Sequence, residues 1–79
     1  MNNDRRARIE RAYRQLQVAF STLEAVRDEE YDVLDNIPEN LQYSKRAEEL
    51  EDNVDTLDYA IEGVNEALNN LEDFDFIRV

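Results

Sequence analysis

Five arginines, Arg5, Arg6, Arg8, Arg11 and Arg14, fall within the first 14 residues against only Asp4 and Glu10, a local net charge of about +3. On a helix Arg8 and Arg11 are surface neighbours, as are Arg11 and Arg14, because residues three or four apart share a face. Two such guanidiniums can clamp a phosphate or carboxylate with forked hydrogen bonds. Arg5, Arg8, Arg11 and Arg14 are therefore the candidate anion-binding residues. A small phosphorylated ligand such as a signalling nucleotide suits that chemistry, with Tyr13 or Tyr59 available to stack on a base. The competing reading is structural. The arginine-rich start would lie beside an acidic finish, Glu66, Glu72, Asp73 and Asp75, on an antiparallel helix, each exposed pair contributing at most about 1 kcal/mol.

The carboxylates form the second constellation. The chain carries a net charge of −11, so the remainder beyond residue 14 holds about −14 by subtraction. Glu24, Asp28, Asp32 and Asp35, and then Glu48, Glu51, Asp52, Asp55, Asp58, Glu62 and Glu66, recur at three- and four-residue steps. On helices these steps draw lines of negative charge along a rod. Such lines imitate a DNA backbone and suit the basic groove of a nucleic-acid-binding protein, with electrostatic steering speeding capture. Glu48, Asp52, Asp55, Asp58 and Glu62 are the candidate partner-binding residues. The plainer alternative is a solvated face that keeps a small protein soluble. The same charge argues against direct binding to nucleic acid or to an anionic membrane.

No enzyme is expected. General acid or base work needs a buried, perturbed carboxyl in a pocket, and acids on the wet face of a helix are neither. Glu30 alone approaches an apolar seam, where pairing with Arg27 or a lysine would account for it. Without His or Cys a zinc site is excluded, as is a di-metal bundle of inward Glu and His; the glycine-bearing calcium loop is also missing. The expected cofactor and metal content is none.

The elements that position these charges follow from apolar spacing. With 79 residues, one Gly, one Pro and 37% charged residues, the chain predicts one small helical domain spanning 1–79. Its strongest signal is Ala47, Leu50, Val54, Leu57, Ile61, Val64, Leu68 and Leu71, an unbroken three-four alternation that commits a helix over 44–73 to a partner helix. A first helix is predicted over 4–35, capped by Asp4, with residues 1–3 frayed. Its seam is Ile9, Tyr13, Leu16, Phe20, Leu23 and Leu34, interrupted by Arg27 and Glu30. Between them lies a turn at 36–43. Pro38 stops the first helix, Asn36 tolerates the left-handed conformation common after a helix, and Glu39 to Tyr43 form a turn that folds Leu41 and Ile37 inward. Ser44 caps the second helix, unless that helix starts at Pro38 itself.

The expected fold is thus all-α, an antiparallel two-helix hairpin of coiled-coil type. Facing residue numbers should sum to about 80, setting Leu34 near Ala47, Phe20 near Ile61, Tyr13 near Leu68, Arg27 near Val54 and Glu30 near Leu50. A second row, Ala12, Ala19, Val26 and Val33 on the first helix with Ala60, Ala67 and Phe74 on the second, would stay partly bare in a monomer. Small residues permit close helix approach, so these seven predict a homodimer that packs as a four-helix bundle. The alternative is that the alanines only supply helix propensity. A chain this short, with no cysteine for disulfides, also gains from oligomerising. The tail, 74–79, alternates apolar and charged residues and reads as extended, packing over its own bundle or adding to a partner's sheet edge or groove. No apolar run approaches a membrane span, and Met1 to Arg6 leads into no signal-like apolar stretch, so a cytoplasmic protein is expected.

At Asn36-Ile37-Pro38-Glu39-Asn40-Leu41-Gln42-Tyr43-Ser44, followed by the acidic heptads from Glu48 to Leu71, the chain resembles small uncharacterised helical-hairpin proteins of phages, prophages and Gram-positive bacteria. The likeness covers a little over half the chain. It implies a hairpin fold and a phage origin, hence the host cytoplasm and an inhibitor or counter-defence role, and it passes on no site residues. Three functions are carried forward: a non-enzymatic protein-binding module presenting an acidic surface, a small-anion binder using the arginines, and a purely structural oligomerisation module.

Overall fold

In the computed structural model, residues 1–74 are described and form two helices, α1 (Asn3–Asp35) and α2 (Lys45–Leu71). They run antiparallel as an extended hairpin about 60 Å long and 15–16 Å across. The expected all-α hairpin is the observed fold.

α1 begins before the predicted cap. The Asn2 side-chain oxygen accepts the Arg5 amide at 2.8 Å and its carbonyl accepts that of Arg6 at 3.1 Å, so Asn2 is the N-cap, Asn3 is helical and Asp4 lies in the first turn. Asn caps as well as Asp, and nothing at Asn3 opposes helix, so the earlier residue wins. Asp4 still places its charge near the helix's positive end.

The turn differs in detail from expectation. Asn36 ends α1 at φ −95°, ψ 5°, and no described non-glycine residue has positive φ, so no left-handed cap forms. Instead the Asn36 side-chain amide donates to the Asp32 carbonyl at 2.7 Å, satisfying one of the orphan acceptors of the last turn. Pro38, extended at ψ 145°, then introduces a 3₁₀ turn over Glu39–Leu41. α2 starts only after Ser44, whose hydroxyl accepts the Ala47 amide at 3.2 Å. Pro38 is therefore not the first residue of α2. Ile37 is half-buried, but Leu41 is not folded inward; the 3₁₀ turn leaves it 48% exposed.

The core is a single seam. Its buried residues are Tyr13 from α1 and Ala47, Leu50, Val54, Ile61 and Leu68 from α2, with Ile9, Leu16, Phe20, Leu23 and Leu34 half-buried against them. α2 ends at Leu71 in three-residue turns, Asp73 to Asn70 and Phe74 to Leu71, rather than continuing to Asp73. The predicted extended tail begins at Phe74, which is half-buried; residues 75–79 lie outside the described residues.

Candidate interaction surfaces

Among the described residues, side-chain hydrogen bonds at three places cross the seam and fix its alignment. The Tyr13 hydroxyl donates to Glu72 at 3.1 Å, the Arg27 guanidinium to Asp58 at 3.2 Å, and the Asn53 amide to Glu30 at 3.1 Å. Each pair's residue numbers add to slightly more than the expected sum of about 80. Side chains lean toward their own helix's N-terminus, so in an antiparallel pair polar tips meet a little out of level with their Cα atoms. Glu30 is thus held by Asn53, not by Arg27 or a lysine. Arg27 also donates to its neighbour Asp28 at 3.1 Å, and its hydrogen bonds to Asp58 and then to Asp28 raise its pKa above the ordinary value.

Among the described residues, Tyr13 is the one buried side chain that titrates. Burial first, then donation to Glu72 and that carboxylate's charge, raise its pKa above the ordinary 10.0. A raised folded-state value means that its stabilisation is complete below pH 10 and is lost as pH climbs through the folded value. Tyr13→Phe should therefore flatten the alkaline limb of stability. Urea midpoints taken at about pH 9 and about pH 11 check this, and an unchanged drop in the variant would refute it.

The predicted arginine cluster is only partly a cluster. Each three-residue step turns about 60° around the helix, so Arg5, Arg8, Arg11 and Arg14 fan over about half its circumference. Arg8 pairs with Asp4 at 3.2 Å, and Arg14 lies 3.7 Å from Glu10, bonds Gln17 and sits 5.6 Å over the Tyr13 ring. Arg5 and Arg8 come together with Met1 and Ile9 around an open groove of about 380 Å³. Arg11 is exposed on the outer face. Tyr13, buried in the seam, has no face for a base, and Tyr59 stands among Asp55, Asp58 and Glu62, which repel phosphate.

The carboxylates concentrate at the closed end of the hairpin. Residues 27–58 hold twelve of them against Arg27, Lys45 and Arg46, a net of −9 out of −11. Glu48, Asp52, Asp55 and Glu62 are exposed and, among the described residues, in no ion pair, whereas Asp58 is engaged by Arg27. At the tip Tyr31, Leu34, Asp35, Ile37, Gln42, Tyr43, Ala47 and Glu51 line a cleft of about 340 Å³. Sequence reasoning missed it: Tyr31 and Tyr43 lie off the seam, and only the turn brings them onto one opening.

The two flanks of the hairpin differ in kind. Tyr13 to Glu72 and Arg27 to Asp58 mark one flank, which is charged. Val26, Glu30, Asn53, Thr56 and Leu57 share a groove on the other. Extending that second flank by heptad steps adds Ala12, Gln15, Ala19 and Thr22 on α1 and Ala60, Gly63 and Ala67 on α2. The outer rows of this strip, from Ala12 to Val26 and from Asn53 to Ala67, contain no ionised side chain. Ala12, Ala19 and Ala60 are exposed, Val26 and Val33 are 40% and 47% exposed, and Ala67 and Phe74 are half-buried. Gly63 stands in the strip with no atom within 4 Å of where a Cβ would be and no positive φ to require glycine.

No described helix is long and apolar enough to cross a membrane, and no group of three described acidic side chains is arranged to hold a metal ion. Compared with known proteins, the chain matches no family model, no curated protein and no solved structure.

Proposed function

We propose that this chain is a non-enzymatic protein-binding module that pairs with a second copy and presents its carboxylate rows to a basic partner protein. The observation that carries the reading is the division of the hairpin into a charged flank and an uncharged one. In a chain with 37% charged residues, a two-helix strip of Ala, Gly, Thr, Asn, Gln and Val is not needed for solubility. It suits contact with another helix pair, with Ala12, Ala19, Val26, Val33, Ala60, Ala67 and Phe74 forming the interface of a four-helix bundle. Gly63 supports this. Mid-helix glycine costs roughly 1 kcal/mol relative to alanine, and nothing within the hairpin requires it. Close approach of a second backbone gives it a role.

Dimerising through that strip leaves Glu48, Asp52, Asp55 and Glu62 facing outward as candidate contacts for a basic groove. An inhibitor or counter-defence protein that stands in for DNA is the most specific form of this reading, consistent with the phage-like turn. The small-anion alternative is weaker because Arg8 and Arg14 already have carboxylate partners within α1.

Light scattering at micromolar concentration tests the assembly. The expected mass is twice 9.4 kDa, and Gly63→Ala should make each hairpin more helical while weakening the dimer. A monomer mass for the parent chain would overturn the dimer. The acidic reading is tested by competition for a basic DNA-binding protein with duplex DNA. Displacement should fall with salt and with Asp52→Asn, Asp55→Asn and Glu62→Gln together; no displacement at low salt would refute it.

A further inference from the structure

We infer that the cleft at the closed tip of the hairpin receives an arginine side chain from a basic segment of the partner protein. This deepens the reading that the acidic surface meets a basic partner, and rests on it. The cleft, about 340 Å³, lies within the size range of small-ligand sites. Its lining combines the kinds of group that a guanidinium on a methylene stem requires. Ala47, buried, and Ile37, half-buried, are among its lining and offer the methylenes apolar contact. Asp35 and Glu51 line it, and neither is in an ion pair among the described residues.

Tyr31 and Tyr43 complete it, 55% and 93% exposed. Large aromatic rings left this open at an acidic cleft offer faces on which a planar cation stacks. The surrounding half of the molecule, at net −9, attracts cations and repels anionic ligands. The arginines of this half leave the cleft unfilled: Arg27 is bonded to Asp28 and Asp58, and Arg46 neither lines the cleft nor pairs with Asp35 or Glu51 among the described residues. Tyr31 and Glu51 stand by heptad position on the charged flank, opposite Val26 and Asn53, so dimerisation through the uncharged strip leaves the cleft open.

The probe is a blocked pentapeptide, acetyl-Gly-Gly-Arg-Gly-Gly-amide, titrated into the full chain and followed by the tyrosine ring resonances in NMR spectra. Its citrulline analogue has the same shape without the charge. The expected result is saturable shifts at Tyr31 and Tyr43 with the arginine peptide and none with citrulline. Tyr31→Ala or Tyr43→Ala should each raise the dissociation constant roughly five-fold, and Tyr59→Ala should leave it unchanged. Asp35→Asn with Glu51→Gln, which keeps both tyrosines, should weaken binding at least as much. Shifts spread along all the carboxylate rows and indifferent to the tyrosine substitutions would overturn the tip site, as would the absence of saturation. Either result alongside intact DNA displacement sinks this inference alone, whereas failed displacement sinks the reading beneath it.

Discussion

Replacing Leu50 by alanine is expected to remove about 2–5 kcal/mol of stability, the usual cost of emptying a buried leucine site. Leu50 is the largest side chain in the seam that is almost wholly enclosed, with 1% of its surface exposed. Beside it Ala47 is equally buried and has no bulk to fill the space. The loss is large for this molecule. At roughly 0.05–0.15 kcal/mol per residue a chain of 79 residues has about 4–12 kcal/mol in all. Urea unfolding followed by circular dichroism, at one protein concentration because association adds to apparent stability, is the measurement. Leu41→Ala is the matched control. Leu41 is 48% exposed on the 3₁₀ turn, so its loss should fall within about 0.5 kcal/mol. Equal effects at the two positions would mean that the turn packs inward after all.

Arg27→Leu should move stability the other way. Arg27 occupies a seam position, seven residues after Phe20 and seven before Leu34, yet sends its guanidinium out to Asp28 and Asp58. Both carboxylates are mostly exposed, so neither is left buried and unpaired when the arginine goes. A leucine there would continue the apolar row across the gap at Arg27, and the urea midpoint should rise by roughly 1 M. The same substitution should weaken the alignment. Polar residues in a coiled-coil seam commonly specify register at a cost in stability, and the Arg27 to Asp58 bond is among those that cross this seam. Duplicate amide resonances for residues near Val54 in the more stable variant would show the loss. A lower midpoint would indicate that the guanidinium stem already packs as well as leucine.

Much of the fold could be read from residue spacing because heptads constrain it from end to end. A row such as Ala47, Leu50, Val54 and Ile61 has one geometry in which every member is covered, and Pro38 permits only one place to reverse. Smaller features depended on competitions too close for spacing to settle. Asn2 and Asp4 are near-equal caps, and the 3₁₀ turn turned Leu41 outward although its hydrophobicity favoured the inside. For the surfaces, sequence located the carboxylate rows and the small-residue strip, since both repeat along a helix. It did not locate the tip cleft. That opening joins Tyr31 and Asp35 of one helix to Tyr43 of the turn and Glu51 of the other, a set with no common period. Nor did spacing reveal that Asn53 would hold Glu30, which required knowing which polar tips meet across the seam.

The burial gradient along α2 bears on how the chain reaches this shape. Exposure is 1% at Ala47 and Leu50, next to the turn, and 7–8% at Val54, Ile61 and Leu68 toward the open end. Contacts beside a short connection are also the ones that require the least loop closure. The part of the seam beside the turn is therefore the part most cheaply nucleated, and the hairpin is expected to zip from its bend toward its free ends. Unzipping should run in reverse, so the helix ends open and close many times for each complete unfolding, and amide protons near Leu50 are expected to exchange last.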